Sequence, residues 1–259
     1  MHHFTELFGY RDLLWLWTLR EVRVRYKQSF LGVAWAIIQP LALTVVFTVV
    51  FSFLLKIDTG DVPYPVFAYT GLVPWTFFAT SLAFGIPSLV NNMNLVTKIY
   101  FPREILPLAS IGAAFVDFLI ACAILAGLML IYRVFPGIEA LWLGPLLLLQ
   151  IILSIGVILL GAALIVFFRD IRFVVPLLTQ VWMYATPIIY PVDFVPEQLR
   201  PFYFLNPMAG IIDGYRRVLI YGEAPNMQAL TLATIVSVIL FVVGYLVFKR
   251  TEPVFADII

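Results

Sequence analysis

From Gln28 to Leu55 the chain carries no charged residue, and immediately before that run Arg20, Arg23, Arg25 and Lys27 crowd into a short segment. This junction constrains the fold more than any other feature. About 20 consecutive apolar residues are needed for a helix to cross the roughly 30 Å hydrocarbon layer of a bilayer. There, only a helix or a closed barrel satisfies every backbone polar group. Further runs of this kind lie at 66–90, 106–132, 141–168, 174–191 and 228–248, after the first at 30–55. Hydrophobic residues make up 63% of the chain and charged residues 12%, with a mean hydropathy of +1.01. Soluble domains carry about one-quarter charged residues, so the expectation is an all-α integral membrane protein with six spans.

The stretch from Val62 to Thr97 is uncharged throughout, and Asn91, Asn92 and Asn94 mark its exit from the membrane. Pro201 to Ile212 is apolar but too short to span, which predicts a re-entrant or interfacial segment covered by other helices. One domain is expected over 1–259. It divides into an N-terminal segment to 28, spans one to five over 30–190, an outer region at 192–227 and a last span at 228–248.

Basic residues set the orientation. With the N-terminus in the cytoplasm, Arg11, Arg20, Arg23, Arg25, Lys27, Lys98, Arg103, Arg169, Arg172, Lys249 and Arg250 fall inside, against Lys56, Arg133, Arg200, Arg216 and Arg217 outside. Both termini are therefore expected in the cytoplasm. No cleavable signal is expected at Met1 to Tyr10, so the first span would serve as its own insertion signal.

On a helical wheel Trp15, Leu19, Val22 and Tyr26 form one ridge and Leu13, Trp17 and Val24 a second, with Arg20, Arg23 and Lys27 between them. That pattern predicts an N-terminal amphipathic helix at the membrane interface, its basic residues meeting anionic lipid or water. The same charges also suffice to enforce topology alone.

The residues Tyr26-Lys27-Gln28-Ser29-Phe30-Leu31-Gly32, with Trp35 and Pro40 after them, begin a likeness that continues through Asn94 to Ala109. Arg169-Asp170-Ile171-Arg172 and Leu205-Asn206-Pro207-Met208 extend it. In these places and in span order the chain resembles the membrane subunits of ABC-2-type exporters of polysaccharides, the group serving O-antigen, capsule and teichoic acid. The resemblance implies a homodimer in the bacterial inner membrane, paired with two copies of an ABC ATPase and carrying a lipid-linked polysaccharide. Membrane lipids are the other expected partner, and no nucleic acid is.

No Gly-Lys pair occurs anywhere in the sequence, so a phosphate-binding loop with its lysine is missing and ATP and Mg would be bound by the partner subunit. The resemblance makes Met93 to Glu104 the coupling segment, with Lys98, Tyr100, Phe101, Pro102, Arg103 and Glu104 as its working residues. An ordinary proline-terminated loop accounts for the same pattern. A metal site is not expected from His2, His3 and the single cysteine Cys122, and no disulfide can form within the chain. No catalytic set can be assembled either.

Asp117 is the one acid deep in a span. Such a carboxylate is a functional candidate by default; here it is open between a hydrogen-bonded structural acid, one facing a wet cavity, and a proton relay. Aromatic residues near prolines in the second and fifth spans, namely Tyr69, Trp75, Phe78, Trp182, Tyr184 and Tyr190, are the candidates for lining a conduit along which sugar faces slide. The resemblance implies an outer gate of paired short helices, with Asp213, Arg216 and Arg217 tied to gating or to an anionic lipid-linked group; snorkelling of the two arginines to outer headgroups accounts for them equally. An exporter of drugs or lipids from the same superfamily, a proton-coupled transporter using Asp117 and a membrane-embedded enzyme are the rival functions.

Overall fold

The computed structural model describes residues 9–27, 34–57, 59 and 62–258. Within them the chain is helical, and the elements are α1 (Arg11–Tyr26), α2 (Trp35–Phe47, continued by a π-helical stretch Thr48–Leu54), α3 (Tyr64–Gly85), α4 (Ser88–Asn91), α5 (Met93–Lys98), α6 (Ile105–Ile131), α7 (Leu143–Phe167), α8 (Ile171–Tyr184), α9 (Arg200–Tyr203), α10 (Pro207–Arg216), α11 (Met227–Thr251) and α12 (Phe255–Ile258). Five helical stretches, Ile37–Leu54, Tyr64–Gly85, Ile105–Ile131, Ile138–Phe167 and Met227–Val254, are long and apolar enough to cross a bilayer. The segments Met1 to Phe8 and Gln28 to Val33, including His2, His3 and most of the Tyr26 to Gly32 stretch, lie outside the described residues.

The fifth expected span departs from the sequence reading. In place of one crossing helix over 174–191, α8 ends at Tyr184, after a length of about 21 Å at 1.5 Å per residue. The chain then continues through turns to Pro191. A buried arginine, described below, supplies donors to the carbonyls of Pro187, Ile188 and Tyr190. Non-helical backbone at membrane depth is tolerated only when protein satisfies it in this way.

Burial separates the spans. In the most hydrophobic window of α3, 78% of residues are buried inside the chain, against 11% in the α2 stretch and 17% in α11. The hydropathy of α3 is also the lowest of the five. In α3 the hydroxyls of Thr70, Thr76 and Ser81 bond back to main-chain carbonyls one turn earlier, as Thr44 and Thr48 do in the α2 stretch and Thr231 and Thr234 in α11. α7 and α11 pack most extensively, and their backbones nearly touch. A Cβ on Gly244 would sit 2.1 Å from the Gly156 carbonyl oxygen, the close approach that small residues permit between membrane helices.

Side-chain contacts fix the two ends of the bundle. Arg20 donates to Asn92 and Arg103 to Glu252, so α1, the α4–α5 segment and the C-terminal helix share one end. The Tyr64 hydroxyl donates to Ile189 at 2.9 Å, and segment 138–142 lies against 217–221 at the opposite end. There α10, buried at every residue, dips between α3, α7 and α11, as the short apolar segment requires. Pro207 takes its first turn, where a missing N–H costs nothing.

Candidate functional site

At the end carrying α1, the basic cluster is not arranged as the helical wheel implies. α1 lies along α6, with the Thr18 side chain against Gly112. The deepest cation is Arg25, which lies off the basic ridge of the wheel. Its Nη1 lies 2.8 Å from Asp117 Oδ2, its Nη2 donates to the Ser110 carbonyl at 3.1 Å, and its guanidinium stacks 4.2 Å from the Phe84 ring centre. The Tyr26 hydroxyl donates to the other carboxylate oxygen. Trp17 packs on the protein while Trp15 is exposed. The geometric cause is Asp117: an unpaired carboxylate at that depth is costly, and the helix turns the face that answers it. Arg20, stacked 4.3 Å over Trp17, and the exposed Arg23 and Lys27 keep the basic outer surface.

The segment from Met93 to Glu104 divides in two. Lys98 and Ile99 are exposed, and Tyr100 is 92% exposed. Phe101, by contrast, is 6% exposed and packs in an apolar cluster with Leu89, Leu106, Phe248 and Phe255. Glu104 is buried and lies 2.6 Å from the Lys249 ammonium, which also meets Glu252 at 2.9 Å. The Arg103 amide and guanidinium both bind Glu252. Burial raises the Glu104 carboxyl above its ordinary range, with Lys249 acting in the opposite direction. The exposed tip formed by Lys98, Ile99 and Tyr100 is thus bolted through Arg103, Glu104 and Phe101 to the end of α11, a connection that no sequence spacing announces.

The aromatic candidates part company as well. Tyr69, Trp75 and Phe78 are buried against neighbouring helices of the same chain, so in this conformation they form core and not an open wall. Trp182 meets the edge of Phe78 at 5.0 Å and donates to Asn206 at 2.7 Å. Tyr184 is exposed, and the Tyr190 hydroxyl bonds to the Tyr184 carbonyl and to the Tyr203 hydroxyl. Asn206 also caps α10 by accepting from the Met208 amide at 3.1 Å, a capping role that Asn before Pro fits.

At the opposite end Asp213 and Arg217 pair at 3.0 Å, one helical turn apart, and Arg217 reaches Glu223 at 2.9 Å. Arg216 points the other way. Only 2% exposed, it donates to the carbonyls of Phe67, Pro187, Ile188 and Tyr190 and lies 3.6 Å over the Phe67 ring. The adjacent arginines therefore have separate tasks. One closes the backbone and the other faces the charged rim.

Among the described residues no group of three His, Cys, Asp or Glu side chains could hold a metal. The arrangement offers an exposed tip, a polar recess beside Asp117 and an ion-paired far end on a multi-pass helical membrane protein. Residues 12–220 match the model of the ABC-2 type transporter family, and the chain belongs to it. It is 30% identical over 249 residues to the O-antigen export system permease protein RfbA of Klebsiella pneumoniae, covering 96% of this chain and 95% of that one. It is 27% identical over 254 residues to the protein of the same name from Myxococcus xanthus, with 97% of each chain covered. The polysialic acid transport protein KpsM of Escherichia coli is 25% identical over 239 residues, 90% of this chain and 91% of that one.

Proposed function

We propose that this chain is the membrane half of an ATP-driven exporter that moves a lipid-linked polysaccharide of the O-antigen kind across the bacterial inner membrane. Two copies form the conduit and two ABC ATPase subunits drive it from the cytoplasm, where both chain ends lie. The observation that carries the reading is the exposed Lys98–Tyr100 tip, bolted to α11, in a chain without a phosphate-binding loop of its own. The near full-length likeness to permeases named for O-antigen export supports the cargo. Sparse burial of α2 and α11 leaves apolar helix faces for lipid and for a second copy. Asp117, already held by Arg25 and Tyr26, favours a structural acid over a proton relay.

The test is co-expression with an ABC ATPase subunit in a strain that makes the glycan but lacks its own permease. A stable complex, ATP hydrolysis that depends on Tyr100, and restored surface glycan are the expected results. Transport without an ATPase would overturn the reading. Cargo accumulation unaffected by this chain would leave the ATPase assignment standing and remove the polysaccharide.

A further inference from the structure

The recess beside Asp117 is a cavity of about 600 Å³ between α1, α2, α3 and α6, within the size range of small-molecule sites. At its inner end the Arg25 side chain is 7% exposed and its Nε has no hydrogen-bond partner among the described residues. That nitrogen is closed to the recess, so the polar group a ligand can reach at this end is Asp117. Asp117, bonded to Arg25 and Tyr26, keeps 21% of its side chain accessible.

These neighbours define the ligand chemistry. A hydroxyl group can donate to the accessible Asp117 carboxylate. A phosphate would face the Asp117 and Glu21 carboxylates, and the charges of Arg20 and Arg25 only balance them. An alkyl chain would desolvate the Asp117 carboxylate without offering it a donor. The walls add the rings of Trp35 and Phe84, the latter stacked on Arg25, and the side chains of Gln39 and Thr80. Aromatic faces with a carboxylate, an amide and hydroxyls suit the C–H faces and hydroxyl edges of a sugar ring.

We propose that this cavity is a docking site for a hydroxyl-rich sugar residue of the transported glycan, on the side of the bundle that carries α1. The inference rests on the polysaccharide reading above. Occupancy would bridge α1 to α6 through the Arg25–Asp117 pair, which links cargo to the helix adjoining the docking tip.

Photo-crosslinking tests it in the full exporter, in cells making the glycan, with p-benzoylphenylalanine at Val24, an exposed residue on the cavity rim, and, as control, at the exposed Leu119. A carbohydrate-bearing adduct at 24 and none at 119 is expected. Thr80→Trp, which fills the cavity, is expected to lower surface glycan at least about tenfold, the loss that corresponds to 1.4 kcal/mol. Leu119→Trp, on the exposed face of α6, should retain export, and the ATPase complex should form in both. Adducts with phospholipid alone, or wild-type export by a folded Thr80→Trp protein, would overturn the proposal while leaving the exporter assignment intact. If Thr80→Trp fails to fold, the adducts decide alone. Absence of glycan export by the unmodified protein would overturn both.

Discussion

Replacing Arg216 by Met should open the far end of the bundle. The guanidinium serves four main-chain carbonyls, those of Phe67, Pro187, Ile188 and Tyr190, and is almost wholly buried. Hydrogen bonds to a charged group contribute about 1.5–3 kcal/mol each, but such contributions do not add. A buried ionic group whose removal strands its partners costs about 3–5 kcal/mol, and Arg216→Met is placed in that range. Lysine presents a compact ammonium without the planar fork, so Arg216→Lys should recover only part of the loss. The neighbouring glycine supplies the sharper test. A Cβ on Gly71 would sit 2.8 Å from Arg216 Nη2 and 3.2 Å from the Ile188 carbonyl oxygen, so Gly71→Ala should cost about 1–3 kcal/mol by overpacking. With Met at position 216 the closest clash is gone, and the same alanine should cost little. Unfolding by SDS in mixed micelles, followed by tryptophan fluorescence, gives the four free energies of the cycle. Additivity within about 0.5 kcal/mol, as found for independent sites, would refute the clamp.

Tyr100→Ala should leave stability within about 0.5 kcal/mol of wild type, as surface changes do, yet uncouple ATP hydrolysis. Phe101→Ala should cost roughly 3–5 kcal/mol, the range for a buried Phe, and the two are separated by measuring thermal unfolding beside ATPase activity. Gly244→Leu should part α7 from α11, because its Cβ would collide with Gly156; a folded protein of unchanged unfolding midpoint would refute the backbone contact. For Glu104, a folded pKa raised above the ordinary 4.5 means that the native state holds the proton more tightly than the unfolded chain. Its contribution to stability therefore falls as pH rises from 4.5 through the folded value. Glu104→Gln should flatten the pH dependence of the midpoint in that window, and equal slopes in both proteins would contradict burial as the dominant cause.

Five of the six expected spans were legible in sequence because lipid enforces length and apolarity segment by segment, and the third run, expected at 106–132, forms a helix at Ile105–Ile131. Side-chain facing was not, because a helix buried all round has no amphipathic stripe to betray its neighbours. Tyr69 and Phe78 show this: proline and aromatic content suggested a wall, and tertiary packing made them core. Arg25 escaped notice for a related reason. On the wheel it is one of several basic residues in α1, and only Asp117, far along the chain, distinguishes it. The Glu104–Lys249 pair likewise joins residues far apart in the sequence. A short helix ending near Pro187 could have been suspected, since proline removes a donor and disfavours the helical region for its predecessor. The arginine that makes such an ending tolerable at membrane depth is visible only in three dimensions.

The distribution of burial also bears on how a conduit could open. α3 is held at one end by the Arg216 bonds to Phe67 and the close fit at Gly71, and near its middle by Gln150, which donates to the Pro74 carbonyl at 2.6 Å. At its other end Phe84 stacks against Arg25. Moving α3 alone would break contacts with α7, α10 and α1 together. α2 and α8 are held more lightly: α2 is the least buried span, and Phe173, Leu177, Val181 and Tyr184 of α8 are exposed while Trp182 meets Phe78 of α3 and Asn206. A rearrangement that widens a path between two copies therefore costs least if α2 and α8 move against a fixed α3. Cysteine pairs between α3 and α7 should then be compatible with transport, and pairs that tie α8 to α3 should stop it. The opposite result would place the moving part in the core.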